Sequence, residues 1–353
     1  MNPNACGYRL RTCVWEITLA CCFSCKYCGS QAGMARRNEL TTQECLLVAE
    51  QLADMGCERV SLIGGEVFMR DDWSTIASAL TGRGVVVAII TNGFLFSSSI
   101  VSALKSAKIE SVGISIDGPE AVHDAYRQAG SFRRAIEAMD TLAAGGIPVS
   151  VISTLHSKNV SHLDELYGVL KEKPLFAWQL QACSPMGNAA RGGLSTHIDF
   201  GAVIRFVEDH AGRDHFAVGI ADNIGYYTQS EGWLRGSLSG NAVFMGCRAG
   251  LTSIGIDSVG NVRGCESMYD ESFVEGNLRE RSLAEIWNDP GAFRYNRGFE
   301  LDMLGGACKT CDKSWKCAGG CRSYNHFSHG KLYESPCCAR RPGSSPGSRT
   351  CPE

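Results

Sequence analysis

The sequence predicts an α/β fold in two parts: an open, partial parallel barrel of six strand–helix units, (β/α)6, followed by a small, loop-rich, cysteine-dense domain. Three observations lead there. Short runs rich in Val and Ile alternate with amphipathic segments through the first two thirds of the 353 residues, as strands buried on both faces alternate with crossover helices. The 18 cysteines are clustered, with four in Cys21–Cys28, nine from Cys247 onward, and only Cys183 between Cys57 and Cys247. Disulfide staples spread across a fold, whereas metal sites gather their cysteines. Finally, the pattern changes after the helical stretch Asp199–Ala211: Gly, Asn and Ser become frequent from Gly225 to Gly246, and no regular periodicity follows.

The expected strands are Trp15–Leu19, Arg59–Ile63, Val85–Ile90, Ser111–Ile116, Val149–Thr154 and Ala177–Gln181. Between them lie the helical stretches Gln43–Met55, Trp73–Thr81, Ser98–Ala107, Phe132–Ala144 and Leu163–Lys171. Thr42 and Ser131 stand where N-caps would, and Gly56, Gly82 and Gly145 where helices stop. Right-handed crossovers make one parallel sheet, too short for a closed eight-stranded barrel, with its active site at the C-terminal strand ends. The expected organisation is a barrel over 1–215, a linker over 216–246, a cysteine-rich domain over 247–340, and a disordered Pro/Gly/Ser tail over 341–353. Such a small C-terminal domain needs metal to fold.

A formal net charge of −3 gives no electrostatic case for nucleic acid or an anionic membrane. No apolar run is long enough to span a bilayer, and Met1 to Arg11 lacks the apolar core of a signal peptide. The expected location is cytoplasmic.

Cys21, Cys25 and Cys28 form a CxxxCxxC loop directly after the first strand. Three thiolates on one loop hold three irons of a cubane and leave the fourth open to a chelating ligand. Thiolates favour such a cluster over hard cations, and no nearby His completes a zinc tetrahedron. Cys22 lies outside this spacing and reads as a bystander.

Further segments fall at successive strand ends: Gly64-Gly65-Glu66, Thr91-Asn92-Gly93, Ser115-Ile116-Asp117-Gly118, and then His123, Asp124 and Arg127. Glycine lets a backbone approach a ligand closely, and Glu66 offers an acceptor for an ammonium group. Each segment alone reads as an ordinary turn. Together, in order, they mark a ligand site, in which Asp117, His123 and Asp124 read as structural.

With Tyr27 directly before the third cysteine, these motifs resemble the radical S-adenosylmethionine (SAM) superfamily, although Val67 stands where that family usually has proline. The resemblance implies that the open iron of a 4Fe–4S cluster binds the amino and carboxylate groups of SAM. One electron then yields a 5′-deoxyadenosyl radical that abstracts hydrogen from a substrate. It further implies that Ser115 contacts the ribose and that Arg127 pairs with the SAM carboxylate, a sensible use of a guanidinium.

Two C-terminal blocks follow. Cys247, Gly260 and Cys265 read C-x12-G-x4-C, and Cys308, Cys311, Cys317 and Cys321 read C-x2-C-x5-C-x3-C, followed by Cys337 and Cys338. This array, with Gly319 and Gly320, resembles the SPASM domain, a radical SAM extension with two auxiliary 4Fe–4S clusters. The resemblance implies an inner cluster on Cys247, Cys265 and Cys321. Its fourth iron is either open or bound by Cys183 or another residue. The implied outer cluster lies on Cys308, Cys311, Cys317 and one of Cys337 or Cys338. A zinc-ribbon reading of the second block is the alternative.

Glu266 follows Cys265 directly. It is either a base beside the inner cluster, as in some peptide-oxidising relatives, or an ordinary loop carboxylate. Trp178, Gln179 and Gln181 either face the pocket or pack in the sheet.

SPASM relatives mostly modify peptides or proteins by crosslinking, thioether formation or side-chain oxidation, so the expected enzyme is an oxidative peptide maturase. A small-molecule dehydrogenase, a tetrapyrrole-modifying enzyme and a non-catalytic electron carrier are the alternatives. Expected partners are a peptide or protein substrate, a flavodoxin or ferredoxin as electron donor and, because the first strand begins so early, a separate leader-peptide-binding protein.

Overall fold

The computed structural model describes residues 6–192, 194, 198–225, 227–228, 230–235, 243–338 and 340. Seven parallel strands form the body: β1 (Thr12–Glu16), β2 (Arg59–Ile63), β3 (Val86–Thr91), β4 (Ser111–Ser115), β5 (Val149–Leu155), β6 (Ala177–Ala182) and β7 (Ala217–Ile220). They pair in chain order. Three more strands, β8 (Ser253–Ile256), β9 (Asn261–Arg263) and β10 (Gly276–Asn277), extend the other edge, giving the order β10-β9-β8-β1-β2-β3-β4-β5-β6-β7.

The predicted helices are present as Thr42–Asp54, Trp73–Thr81, Ser98–Ser106, Ser131–Ala144, Leu163–Leu170 and Phe200–His210. Their apolar faces cover one side of the sheet. Leu52, Ile76, Leu80, Leu104 and Leu142 have no exposed surface and pack with Val60, Leu62, Val87 and Ile89 of the strands. Within each strand the side chains alternate. Cys13 and Trp15 of β1 enter this core, while Val14 and Glu16 point to the opposite, cavity face.

The structure departs from the sequence expectations in several places. The segment 216–246, expected as a linker, contributes β7, which pairs with β6. The cysteine-rich region is not set apart from the barrel, because β8 runs parallel to β1 with Ser253 opposite Thr12. β1 ends at Glu16, since beyond Ile17 the chain leaves the ladder and the Leu19 amide donates to Glu39 Oε1 at 2.7 Å. The first helix is capped by Thr41, not Thr42. Thr41 Oγ1 accepts from the Glu44 amide and Glu44 accepts from the Thr41 amide, a reciprocal capping box. Ser131 is the first helical residue, and Gly130, at φ +76°, precedes it. The stops at Gly82 and Gly145 are right-handed caps, and the left-handed turns fall two and one residues later, at Gly84 and Gly146. The tail 341–353 lies outside the described residues.

Candidate active site and cluster-binding cysteines

The cavity face of the barrel encloses a space of about 570 Å³, within the range of ligand-binding pockets. Cys21, Cys25 and Cys28 line it together. Their loop is held on both sides. The Cys21 amide donates to Gly33 O at 2.8 Å, and Asn188 ties the other side by donating from Nδ2 to Cys25 O and from its amide to Cys28 O, both at 2.9 Å. The Phe23 and Ala32 amides point at Cys21 Sγ and Cys28 Sγ, at 3.4 and 3.3 Å. Amides aimed at sulfur stabilise thiolates and tune a cluster. Burial pushes the Cys25 thiol up to about 11, so metal binding here must displace protons. Cys22 is exposed and does not line the cavity; its sulfur accepts from Asn92 Nδ2 at 3.5 Å.

Among the described residues no three Cys, His, Asp or Glu side chains converge on a point for one bare ion. The three cysteines instead line one roomy cavity, and a multi-iron cluster needs such room between its ligands. Gly64 and Gly65 line the same cavity where β2 ends against the chain entering the cysteine loop. A Cβ on Gly65 would lie 2.3 Å from Ala20 O and 2.5 Å from Leu19 O. Only glycine lets β2's end press against the chain entering the cysteine loop. The three-thiol donor set, the sulfur-directed amides and this glycine wall fit a 4Fe–4S cluster with SAM beside it.

Gly64, Gly65, Thr91, Asn92, Ser115 and Arg127 all line the cavity. Glu66 does not. It is fully buried behind the wall, where Oε1 accepts from Thr91 Oγ1 at 2.7 Å and from the Phe68 amide at 3.3 Å, and Oε2 accepts from the Asn92 amide at 2.8 Å. Its role is to clamp the end of β2 to the end of β3. Burial pushes it up to about 7. Arg127 borders the cavity but is paired with Asp117 and lies 5.5 Å from the Tyr27 ring centre. Asp117 is a hub: it also accepts from Tyr27 Oη and from the Thr154 amide at 2.7 Å. His123 Nδ1 accepts from the Asp117 amide at 3.2 Å, and Asp124 accepts from the Gly130 and Phe132 amides. Trp178 is core, donating to Ser153 Oγ at 2.8 Å, whereas Gln179 and Gln181 line the cavity.

Glu266 enters the cavity from the C-terminal region. It is buried, and among the described residues neither carboxylate oxygen has a hydrogen-bond partner. Its backbone lies against Gly255 of β8, where a Cβ would sit 2.3 Å from the Glu266 amide nitrogen. Burial, and then the charge of Glu16, push Glu266 well above the usual carboxylate range. Glu16 is the residue that the sequence reading passed over. It is buried, lines the same cavity and is bridged by Arg36 Nη1 at 2.6 Å. Arg36 also donates to Tyr269 Oη, another cavity residue. The available signal was a lone carboxylate in the apolar run Cys-Val-Trp-Glu-Ile.

Of the C-terminal cysteines, Cys308, Cys311, Cys317 and Cys338 line one small cavity. The Lys313 and Ser335 amides point at Cys311 Sγ and Cys308 Sγ, each at 3.4 Å. Cys337 is not part of that lining and is disulfide-bonded. Cys247 and Cys265 pack in one cluster with Met268, Phe273 and Tyr295. Burial raises the Cys321 thiol, and the nearby Cys247 and Cys265 raise it further. Cys183 packs with Tyr27 and Ala189, and its charge, like that of Cys321, also acts on Tyr324.

Comparison with known proteins accounts for both halves. Residues 15–170 match the radical SAM superfamily, and residues 247–312 match SPASM, an iron–sulfur cluster-binding domain. The chain is 28% identical to an AdoMet-dependent heme synthase of Methanosarcina barkeri, over 94% of this chain and 97% of that one. It is likewise 28% identical to the mycofactocin maturase MftC of Mycobacterium ulcerans, over 89% and 83%. Among solved structures, SuiB of Streptococcus suis bound to SAM superposes with a TM-score of 0.74, covering 93% of this chain and 76% of that one at 17% identity.

Proposed function

For a chain that belongs to the radical SAM superfamily and carries a SPASM domain, we propose that this barrel cavity oxidises a peptide substrate, with Cys21, Cys25 and Cys28 as cluster ligands and Glu266 as proton acceptor. When bound, the cluster and SAM supply a 5′-deoxyadenosyl radical, and the auxiliary clusters supply a sink for one electron. Ser115, Gly64 and Gly65, which line the cavity, would border bound SAM, and Arg127, fixed by Asp117, would pair with its carboxylate. Glu66 acts one step behind, holding Thr91 and Asn92 in place. The inner auxiliary set is Cys247, Cys265 and Cys321, and the outer set is Cys308, Cys311, Cys317 and Cys338.

The observation that carries this reading is the Glu266 carboxylate, buried and without a partner among the described residues, on the cavity that the three thiols share. A substrate carbon that loses hydrogen beside it can deliver its neighbouring proton to a waiting oxygen, which is the geometry required of a general base. The maturase relative supports a peptide substrate. The heme synthase relative favours a tetrapyrrole. However, the cavity's charged lining is Glu16, Glu266 and an Arg127 already paired with Asp117. The two carboxylates accept a peptide's N–H donors, whereas the one cation in the described lining, Arg127, is already paired and is not free to hold a polycarboxylate. A flavodoxin or ferredoxin and a separate leader-binding protein are the partners this reading adds. Among the described residues no helix is long and apolar enough to cross a membrane.

The test is anaerobic turnover with SAM, dithionite and, in separate arms, candidate precursor peptides and a tetrapyrrole. Glu266→Gln should release 5′-deoxyadenosine at the native rate while oxidised peptide falls by at least tenfold. Unchanged peptide oxidation removes Glu266 from the mechanism, and turnover of a tetrapyrrole but no peptide selects the second reading.

A further inference from the structure

Arg322 directly follows Cys321 and opens the helix Arg322–His329. It is 1% exposed. Its guanidinium donates to the carbonyls of Tyr295 (3.3 Å), Gly320 (3.4 Å), Leu332 (3.3 Å) and Ala318, and it stacks on Tyr333 and Phe299, 4.5 and 5.1 Å from the ring centres. Among the described residues no carboxylate pairs with it. The charged-state partners it does face are Cys247, Tyr333, Cys321 and Cys317, which include thiols from both auxiliary sets. Arg263, buried to a similar degree, shows the usual solution: it pairs with Asp257 at 2.9 Å.

Carbonyl dipoles and ring faces satisfy a guanidinium's N–H groups but leave its charge uncompensated, and an uncompensated buried charge is strongly unfavourable. Four thiolates around a cubane carry net negative charge, and each one-electron reduction adds another. A fixed cation beside such a cluster favours its reduced form, since charge and hydrogen bonding near the sulfurs set the potential.

We propose that Arg322 is the fixed counter-charge shared by the two auxiliary clusters and that it holds their reduction potentials up. This rests on the ligand sets proposed above: Arg322 follows Cys321 directly, and its Nη1 donates to the carbonyls of Ala318, next to Cys317, and of Gly320, next to Cys321. The guanidinium suits the role because it stays charged when buried, where a lysine ammonium more readily loses its proton. A raised potential makes the clusters better one-electron acceptors from an oxidised substrate, so Arg322 is a tuning residue and not a catalytic one.

The experiment is an EPR-monitored titration with dithionite of cluster-loaded protein in which Cys21, Cys25 and Cys28 are all replaced by alanine, so that only auxiliary signals remain. Iron counting comes first: loss of the auxiliary iron with Arg322 intact would sink the ligand sets and the counter-charge with them. With iron in place, Arg322→Gln should lower the reduced-to-oxidised ratio at a fixed potential at least tenfold, a downward shift of about 59 mV for a one-electron couple. Arg322→Lys, titrated at pH 6 so that its ammonium keeps its proton, should stay within about threefold of the parent. Equal potentials in all three proteins, or equal shifts in the Lys and Gln variants, overturn the proposal. If Arg322→Gln loses its iron, Arg322→Lys decides. A lysine lacks the planar fork that reaches four carbonyls, so a purely structural clip predicts that the lysine variant loses its iron too, and that result also overturns the counter-charge.

Discussion

Glu66 is a carboxylate used as a clamp, and its burial makes a pH prediction that can be worked through. Both of its oxygens accept hydrogen bonds from β3's end and from the Phe68 amide. Even so, burial outweighs those bonds and raises it from 4.5 to about 7. An acid raised on folding contributes its stability fully below its unfolded value and loses it as pH rises through the folded value. Between pH 4.5 and pH 7 the native protein should therefore lose about 3 kcal/mol through this one group, from about 1.4 kcal/mol for each tenfold change in proton affinity. Glu66→Gln cannot ionise. Its amide places a donor where one acceptor stood, so at low pH it should be less stable than the native protein by about 1–3 kcal/mol. The gap should close or reverse by pH 8. Thermal midpoints of the two cluster-loaded proteins, read from pH 5 to pH 8.5, should converge by several degrees. Taking the difference between the two proteins cancels the other titrating groups, including His123 and His156, which burial lowers to about 4 and which act in the opposite sense. Parallel curves, or a native protein that gains on the variant as pH rises, would refute the reasoning. Either would mean that the hydrogen bonds, not burial, govern Glu66.

Gly65→Ala should lower both iron content and SAM cleavage by at least tenfold, because its Cβ would strike the Leu19 and Ala20 carbonyls just ahead of Cys21; native iron loading in this variant would show that the wall can yield. Cys338→Ser should lose about four irons, while Cys337→Ser keeps its iron, because only Cys338 lines the cavity with Cys308, Cys311 and Cys317. Iron counts with the two variants reversed would exchange their roles.

Much of the fold was legible because its signals are local. Strand and helix periodicity repeats every few residues, so the six barrel helices and β2 through β6 fall within two residues of their expected positions. The cysteine spacings are equally local, and the CxxxCxxC loop does line the cavity that the strand-end motifs share. Where sequence and structure part, the cause is shared. Motif position alone makes Glu66 a direct SAM contact, yet Glu66 turns inward to Thr91 and Asn92, while Arg127 borders the cavity with its guanidinium tied to Asp117. Which way a side chain leaves a strand end depends on what the neighbouring strand offers, and a linear motif does not carry that. Glu16 was missed for the same reason: its partner, Arg36, is set by a loop fold and not by spacing.

By itself, the sequence determined the chemistry: thiolates at these spacings, together with glycines at strand ends, select an iron–sulfur site and a close-packed ligand wall. Only the tertiary structure decided which groups meet. It joined β8 to β1, which carries Glu266 into the barrel beside Glu16. It separated Cys338 from Cys337 and placed Arg322 within reach of both thiol sets. The reason is physical. Ligand type is a property of a residue and survives in any order of letters, whereas burial, charge pairing and cavity shape arise only when segments more than 200 residues apart, such as β1 and β8, share one sheet.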